Sequence, residues 1–339
     1  MNKKINILFL TPYYSQSRGN STTARRIEAG LSKAGCVVKV FAYDEEAWNE
    51  KVKKLIDEAD ILHILHFGRF LEWQQMYGEV LTKPYVVTSG GTDVNHSLQV
   101  EDVDKYKVFL RDALAVSVFS EDGKQALLRV LPELEKKIAV IPQGVYLPDG
   151  DDGEERLQLP PGSPKFLLPA GLRAVKDIFF AIRPLMKLKN EYHGLTLLII
   201  GAKLDEDIYQ RLTLLQEKLP WVHYHNEVDL SQMKQVYDWS DIVINTSLSE
   251  GQPTSLLEAM YFHKPVLARN NGGNRSLISH RENGFIFCDA EDFYHFAKLL
   301  LSSSIKEQIV QKGADYCLQH HPIEKEIAAY LEIYQKRRI

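Results

Sequence analysis

Short apolar runs alternate with longer amphipathic stretches along the whole chain, a pattern that predicts parallel strands joined by helices. In the first half, strands are predicted at residues 5–10, 37–43, 61–65, 85–89, 115–120 and 138–142. The segment TTARRIEAGLSKAG, between the first two strands, has helical spacing and ends at Gly35, a residue type that is common just past a helix end. The predicted fold class is α/β.

A linker interrupts this alternation at residues 146–165, YLPDGDDGEERLQLPPGSPK. It combines Pro, Gly and acidic residues without periodicity, so its DGDD is interpreted as solvated rather than as a cation site. Six further strands are then predicted at KFLLPAG, LTLLIIG, WVHYH, DIVINTS, PVLAR and GFIFC. The sequence therefore predicts doubly wound domains at 1–150 and 165–320, a linker at 151–164, and a final helix within 321–339 that packs across the domain junction.

Composition and charge argue against several classes of protein. The 339 residues include 41 Lys and Arg against 45 Asp and Glu, and a formal charge of −4 offers no general attraction for nucleic acid. Three scattered cysteines fit a reducing compartment and form neither a disulfide framework nor a zinc site. No run approaches the roughly 18 consecutive apolar residues of a membrane span. We therefore expect a cytoplasmic protein, with peripheral membrane contact left open.

The segment SEGQPTSLLEAM, residues 249–260, carries the candidate chemistry. It follows the predicted strand DIVINTS, and in open α/β sheets ligands bind beyond the carboxyl ends of strands. Gly251 permits close backbone approach and Pro253 suits a first helical turn, so three backbone amides would face an anion, those of Thr254, Ser255 and Leu256.

Two glutamates flank this predicted anion site. Glu250 lies on the turn, and Glu258 lies one turn into the helix, where its side chain leans back toward the helix N-terminus. Both could accept hydrogen bonds from hydroxyls, which suits a ligand with a sugar on each side of a diphosphate. Taken singly, each glutamate is also explained as an ordinary surface residue.

SEGQPTSLLEAM, followed by KPVLARNNGGN, resembles the nucleotide-sugar signature of retaining glycosyltransferases of family 4, in which seven residues separate two glutamates. Three further segments resemble family elements in the same order along nearly the whole chain: IPQGV, GLRAVKD and WSDIVINTSLSEG. The resemblance implies the GT-B fold, in which two Rossmann-like domains face each other across a cleft. The N-terminal half would hold the acceptor and the C-terminal half the donor.

The resemblance also assigns roles by position. Glu250 would bind hydroxyls of the donor sugar, and Glu258 the ribose hydroxyls of the nucleotide. Arg173 and Lys176, in GLRAVKD, would hold the diphosphate and stabilise the negative charge that develops as it departs. Gly19, in the first loop, would let the backbone approach the donor. The remaining donor contacts would come from Gly251, Gln252, Pro253, Thr254, Ser255 and Leu256.

The chain departs from the family pattern at several positions. Gly90 stands where many members have a histidine, so Asp93 is predicted to contact the acceptor or the reacting sugar, with a loop-capping role as the alternative. His63 or His66 could also substitute for that histidine, although a structural role is the commoner one for a histidine at a strand end. Further departures are the short spacing between the Arg and Lys of GLRAVKD, Gln143 in place of Asn, and Ser276 in place of Glu.

The sequence thus predicts a retaining glycosyltransferase of the hexosyltransferase type, without metal or cofactor, that uses a nucleoside diphosphate sugar, namely a UDP-sugar. Two alternatives stay open: an epimerase of the same fold, which would release nucleotide and sugar without an acceptor, and a noncatalytic sugar-nucleotide-binding protein. A dinucleotide oxidoreductase is disfavoured because no G-x-G-x-x-G follows the first strand. The sugar, the acceptor and the oligomeric state are not identified.

Overall fold

The computed structural model describes residues 4–16, 18–89, 93, 104–147 and 156–336. The chain divides into two units: unit 1 comprises Met1–Gly144 and Ile323–Ile339, and unit 2 comprises Val145–Pro322. Each unit contains one sheet of parallel strands with helices, as the sequence pattern predicts.

Unit 1 has the strand order β2-β1-β3-β4-β5-β6. These strands are β1 (Asn6–Thr11), β2 (Val37–Ala42), β3 (Ile61–Leu65), β4 (Tyr85–Thr88), β5 (Ala115–Val118) and β6 (Ile138–Val140). The helices described between them are α1 (Gly19–Lys33), α2 (Glu50–Glu58), α3 (Phe67–Tyr77), α4 (Asp104–Asp112) and α5 (Glu121–Val130).

Unit 2 has the strand order β12-β11-β10-β7-β8-β9. These strands are β7 (Lys165–Pro169), β8 (Thr196–Ile200), β9 (Val222–His225), β10 (Ile242–Asn245), β11 (Val266–Arg269) and β12 (Phe285–Phe287). The helices described in this unit are α6 (Ile182–Lys189), α7 (Glu206–Lys218), α8 (Met233–Trp239), α9 (Thr254–Tyr261), α10 (Gly272–Arg275), α11 (Ala290–Leu301) and α12 (Ser303–His320).

Burial on both faces explains why the strands could be found from apolar runs. Every residue of β3 and of β8 is buried, as expected for a parallel sheet covered by helices on its two sides. Several helices begin where a polar side chain accepts a hydrogen bond from a first-turn amide, with Asn49, Ser120, Asp205 and Asp289 as the capping residues. Each strand predicted from the sequence overlaps an observed strand.

The last helix, α13 (Ile323–Gln335), belongs to unit 1. Its Glu326 forms a buried bidentate ion pair with Arg26 of α1, at 2.9 and 3.0 Å, and also accepts the Gly144 amide at 2.8 Å. A buried carboxylate needs such partners, because an unpaired charge away from water is costly. In the described part of the chain, no helix combines the length and apolarity that crossing a membrane requires.

Candidate functional site

The strand order of unit 2 reverses between β7 and β10, which are hydrogen-bonded neighbours in the sheet. The sheet continues through β8 and β9 on one side of this pair, and through β11 and β12 on the other. In open parallel sheets, ligands bind at such a reversal, beyond the carboxyl ends of the two strands. The segments that follow β7 and β10 are those in which the sequence places most of its candidate residues.

Lys176 and Glu250 meet at this edge of the sheet. The ammonium nitrogen of Lys176 lies 2.6 Å from Oε1 of Glu250, and the two side chains are 17% and 11% exposed. Two hydrogen bonds join the loops that carry them: the Thr246 hydroxyl donates to the Lys176 carbonyl at 2.8 Å, and the Leu248 amide donates to the Val175 carbonyl at 2.9 Å. Residues from two distant loops are thus held together as an ion pair.

The surroundings of Glu250 keep its carboxyl group ionised. Oε1 also accepts hydrogen bonds from the Ser247 hydroxyl at 2.6 Å and from the Asn245 side-chain amide at 3.1 Å. Burial alone would raise the pKa of Glu250, but the charge of Lys176 and these hydrogen bonds outweigh burial, so the pKa is lowered. Among the described residues, these three donors all act on Oε1 of the carboxylate.

Three asparagines outside the predicted site fix the turn that presents Glu250. Oδ1 of Asn245 accepts the Ser247 amide at 3.1 Å and the Asn274 side-chain amide at 3.2 Å. The Asn271 side chain donates to the Ser247 carbonyl at 2.9 Å. The signal for these residues is present in the sequence, since the asparagines of DIVINTS and NNGGN lie at strand exits, where amides can bond to loop backbone.

Gly273 lies directly against the backbone of Glu250. A Cβ atom at Gly273 would stand 2.5 Å from the Glu250 carbonyl oxygen and 2.7 Å from its carbonyl carbon. Only glycine permits this approach, so the second glycine of NNGGN is a packing requirement of the turn. Ser276, which stands where many family members have a glutamate, donates its hydroxyl to the Gly273 carbonyl at 2.7 Å.

Replacing Gly273 with alanine should therefore displace the Glu250 turn. We expect Gly273→Ala to lower the free energy of unfolding by roughly 1–3 kcal/mol, the usual cost of forcing extra volume into a packed region. Chemical denaturation of purified protein measures this change. Gly19→Ala is the control, because a Cβ atom there would meet nothing within 4 Å. Equal midpoints for the two variants would mean that the turn yields without cost.

The helix that follows the turn begins one residue later than the sequence predicts. Pro253 is the N-cap residue of α9, and the first helical residue is Thr254. The Leu256 amide donates to the Pro253 carbonyl at 3.2 Å, so this first-turn amide has a partner three residues back in the chain. The prediction of three available amides is therefore corrected to two, those of Thr254 and Ser255. Gly251 and Gln252 form the bend before the helix, half-buried and buried respectively.

Glu258 lies on α9 and is 7% exposed, so it is not the surface residue that the simpler interpretation allowed. Its Oε2 accepts a hydrogen bond of 2.7 Å from the Tyr237 hydroxyl. Burial, followed by the charge and the hydrogen bond of Glu258, raises the pKa of Tyr237 well above its usual value, so the tyrosine stays a donor. Tyr237 was not predicted as a site residue, and nothing in the spacing of SEGQPTSLLEAM points to it.

Arg173 lies in the loop after β7 that also carries Lys176. It precedes the short 3₁₀ turn Ala174–Lys176, and its side chain is exposed. Arg173 and Lys176 therefore lie in the same loop after β7, where Arg173 is exposed and the Lys176 ammonium is paired with Glu250.

Two further candidate residues, Gly19 and Asp93, belong to unit 1. Gly19 is exposed and is the first residue of α1. Asp93 is fully buried, and its Oδ1 accepts a hydrogen bond of 2.5 Å from the Ser89 hydroxyl. Gly90 lies outside the described residues.

The two candidate histidines have structural partners. The ring of His63 is buried, with Nδ1 2.5 Å from the Tyr334 hydroxyl and Nε2 2.6 Å from the Thr88 hydroxyl. Burial lowers the pKa of His63 to about 3, so the ring is neutral near pH 7. His66 is the N-cap residue of α3, and its Nδ1 accepts the Arg69 amide at 3.3 Å.

A model of the family described as Glycosyl transferases group 1 matches residues 151–314. The chain is 30% identical over 343 residues to Glycosyltransferase 1 domain-containing protein 1 of Xenopus tropicalis, a similarity that covers 96% of each chain. It is 27% identical over 194 residues to a trehalose synthase of Pyrococcus horikoshii, which covers 53% of this chain and 45% of that one.

Solved structures resemble the chain along almost its whole length. HepE of Anabaena in complex with UDP-glucose superposes with a TM-score of 0.74 at 16% identity, over 97% of this chain and 99% of that chain. Sucrose-phosphate synthase of Thermosynechococcus elongatus superposes with a TM-score of 0.75 at 16% identity, over 98% and 99% of the two chains. The predicted GT-B fold is confirmed.

Proposed function

Because the chain belongs to the glycosyl transferase group 1 family, we propose that it is a retaining, metal-independent glycosyltransferase. Its donor is a nucleoside diphosphate sugar, and its acceptor carries a hydroxyl group. The observation that carries the proposal is the pair formed by the Lys176 ammonium and the Glu250 carboxylate at the carboxyl ends of β7 and β10, 2.6 Å apart. A cation beside an ionised hydrogen-bond acceptor suits a ligand in which a phosphate adjoins a sugar.

In this proposal the donor lies along the edge formed by the two loops and α9. Arg173 and Lys176 hold the diphosphate, together with the free first-turn amides of α9. Glu250 accepts from hydroxyls of the sugar, and Glu258 accepts from hydroxyls of the ribose. The ordered turn around Glu250 and the Tyr237 contact to Glu258 support these roles, because a binding site works best when its acceptors are held in place beforehand.

Binding of a diphosphate would change the partner of Lys176. In the structure its ammonium donates to Glu250, and a phosphate oxygen would compete for the same donor. Glu250 would keep its hydrogen bonds from Ser247 and Asn245, so its carboxylate would stay in position while Lys176 turned toward the phosphate. In this proposal, the ion pair between Lys176 and Glu250 is the state of the site before the donor binds.

The chemical step breaks the bond between the anomeric carbon of the sugar and the diphosphate oxygen. Positive charge develops at the carbon and negative charge on the departing phosphate, where Arg173 and Lys176 stabilise it. The acceptor hydroxyl attacks from the face that the phosphate leaves, and its proton passes to a phosphate oxygen. The new glycosidic bond keeps the configuration of the old one, and no covalent intermediate with the enzyme forms.

The finer assignments rest on similarity. We propose UDP as the nucleotide and a hexosyl group as the sugar, because HepE, which has the same fold, was solved with UDP-glucose. We place the acceptor in unit 1, where Asp93 would contact the acceptor or the reacting sugar and Gly19 would allow backbone approach to the donor.

A thermal-shift panel of UDP-, GDP- and ADP-sugars tests the proposed function. A donor present at about 100 times its Kd should add roughly 2.7 kcal/mol of stability. Selective stabilisation by one sugar nucleotide would define the donor, and slow release of its nucleoside diphosphate without an acceptor would separate an enzyme from a binding protein. Release of nucleotide together with a sugar of altered configuration at another carbon would indicate an epimerase. No stabilisation by any of the sugar nucleotides would overturn the proposal.

Turnover should survive a chelator. Arg173, Lys176 and the first-turn amides of α9 can supply the positive field that a divalent ion supplies in other diphosphate sites. We expect the initial rate with excess EDTA to equal the rate with added magnesium or manganese. Activity that disappears with EDTA and returns with either metal would show that the departing phosphate needs a cation that these residues do not replace.

A further inference from the structure

Arg269, the last residue of β11, reaches the loop that carries Lys176. Its Nη1 donates to Oδ2 of Asp177 at 2.5 Å and to the Thr246 carbonyl at 3.2 Å. The guanidinium also lies over the ring of Phe180, 4.7 Å from its centroid. One side chain therefore connects the ends of three strands: β11, which it terminates, and the loops after β7 and β10.

Asp177, the residue after Lys176, has an unusual backbone conformation. It directly follows Lys176 and has φ of +41°, in the left-handed region that residues other than glycine rarely adopt. Such a conformation persists only when the surroundings hold it. The hydrogen bond from Arg269 to the Asp177 carboxylate provides a hold of this kind, at the residue that ends the Lys176 turn.

Thr246 gives a second route from Arg269 to Lys176. The Thr246 carbonyl accepts from Arg269, and the Thr246 hydroxyl donates to the Lys176 carbonyl at 2.8 Å. Arg269 thus bonds to two residues that are themselves joined to Lys176: Asp177, the next residue in the chain, and Thr246, which donates to the Lys176 carbonyl. Among the described contacts, Arg269 does not touch Lys176 directly.

We propose that Arg269 is a positioning residue, which sets the Lys176 ammonium for the donor diphosphate by holding Asp177 and Thr246. This inference rests on the proposed function of the site. Arg269 acts through the backbone of the Lys176 loop, so its loss should be felt by ligands that carry a diphosphate and not by a ligand that lacks one. The sequence gives no sign of this role, because Arg269 ends the apolar run PVLAR and its partners Asp177 and Thr246 lie in other segments of the chain.

Calorimetric titration with UDP and with uridine separates positioning from a general structural role. For Arg269→Ala we expect the affinity for UDP to fall by about three- to tenfold, the scale of coupling between neighbouring side chains, and the affinity for uridine to stay unchanged. In a Lys176→Ala background, Arg269→Ala should cause no further loss. Arg269→Lys should recover part of the UDP affinity, since a lysine can keep the ion pair with Asp177 but has no fork of donors.

Arg211→Ala is the matched control, because Arg211 also stacks on a phenylalanine of unit 2, with its guanidinium 4.4 Å from the Phe179 ring centroid. It should leave both affinities unchanged. If Arg269→Ala does not fold, Asp177→Asn asks the same question by weakening the same contact. An equal loss for UDP and uridine, or a full additional loss in the Lys176→Ala background, would overturn the inference. Wild-type protein that binds UDP no better than uridine would overturn the proposed function as well.

Discussion

Removal of Lys176 or Arg173 should lower kcat by roughly 10²- to 10³-fold, the scale seen when one preorganised donor to a developing oxyanion is lost. Charge on the departing phosphate grows as the glycosidic bond breaks, so a cation fixed beside it stabilises the transition state more than the bound donor. Steady-state kinetics of Arg173→Ala and Lys176→Ala at saturating donor measure the effect. Arg173→Lys should rescue only in part, because one ammonium does not reproduce the guanidinium fork.

The structure adds a condition to the Lys176 experiment. Lys176→Ala also leaves the Glu250 carboxylate without its counter-ion, so part of the loss could come from Glu250 rather than from the phosphate. Lys176→Met retains the apolar stem, and a comparison of Lys176→Ala with Lys176→Ala/Glu250→Gln isolates the contribution of the unpaired carboxylate. Because the Glu250 change itself damages turnover, the readout of this comparison is UDP affinity: if the double variant binds UDP as weakly as Lys176→Ala, the phosphate contact accounts for the loss.

Lys218→Ala is a suitable control for the change of charge. Lys218 is exposed and lies in the last turn of α7, which runs back from the carboxyl edge of the sheet that holds the site. Its removal should change neither kcat nor KM. Should Arg173→Ala and Lys176→Ala raise KM while kcat stays intact, the two residues bind the donor and do not stabilise the leaving group.

Glu258→Ala should weaken nucleotide binding, and Glu250→Ala should leave it intact. Loss of the Glu258 carboxylate should weaken binding of free UDP by about tenfold or more, since a hydrogen bond to a charged group contributes roughly 1.5–3 kcal/mol. Glu250→Ala should spare UDP, because it removes the competitor for the Lys176 ammonium, and should damage sugar-dependent turnover instead. Calorimetry with UDP and kinetics with the sugar nucleotide measure the two effects.

Because Glu258 also accepts a hydrogen bond from Tyr237, a second variant is needed at Glu258. Glu258→Gln keeps an acceptor for the Tyr237 hydroxyl but removes the charge, and so separates the loss of ribose contacts from local rearrangement. Glu217→Ala, at an exposed position of α7, is the control for a lost carboxylate. Equal UDP affinity in wild type and Glu258→Ala would remove the ribose assignment, and a parallel loss of UDP binding in Glu250→Ala would place that glutamate at the nucleotide.

The strands could be predicted because parallel strands buried on both faces are short apolar runs with clear ends. ILHIL and β3 coincide at residues 61–65, and VVKVFAY exceeds β2 by one residue. Helix starts are less visible where no side chain caps them. The first helix begins at Gly19, ahead of the predicted TTARRIEAGLSKAG, because its N-cap residue is Arg18, which makes no side-chain capping bond.

The position of the candidate residues at a strand exit could be predicted from the sequence, but their contacts with one another could not. A turn that follows a buried strand and opens a helix marks the place of Glu250, whatever its partners. Its contact with Lys176 joins residues 74 positions apart and depends on the adjacency of β7 and β10, which no local pattern specifies. The contact between Tyr237 and Glu258 could not be predicted for the same reason. The close approach of Gly273 to the Glu250 backbone depends on packing between loops, which the turn residues of NNGGN do not specify.

The stereochemistry of the first product tests the central claim most directly. Turnover of an α-linked sugar nucleotide, the donor identified in the panel, can be followed by proton NMR from the first minutes of reaction with wild type and with Arg173→Ala. We expect wild type to release the nucleoside diphosphate and to form the α-anomeric product first, and Arg173→Ala to do so at a rate roughly 10²- to 10³-fold lower. A β-anomeric first product, or equal rates in the two proteins, would contradict a retaining transfer assisted by this site.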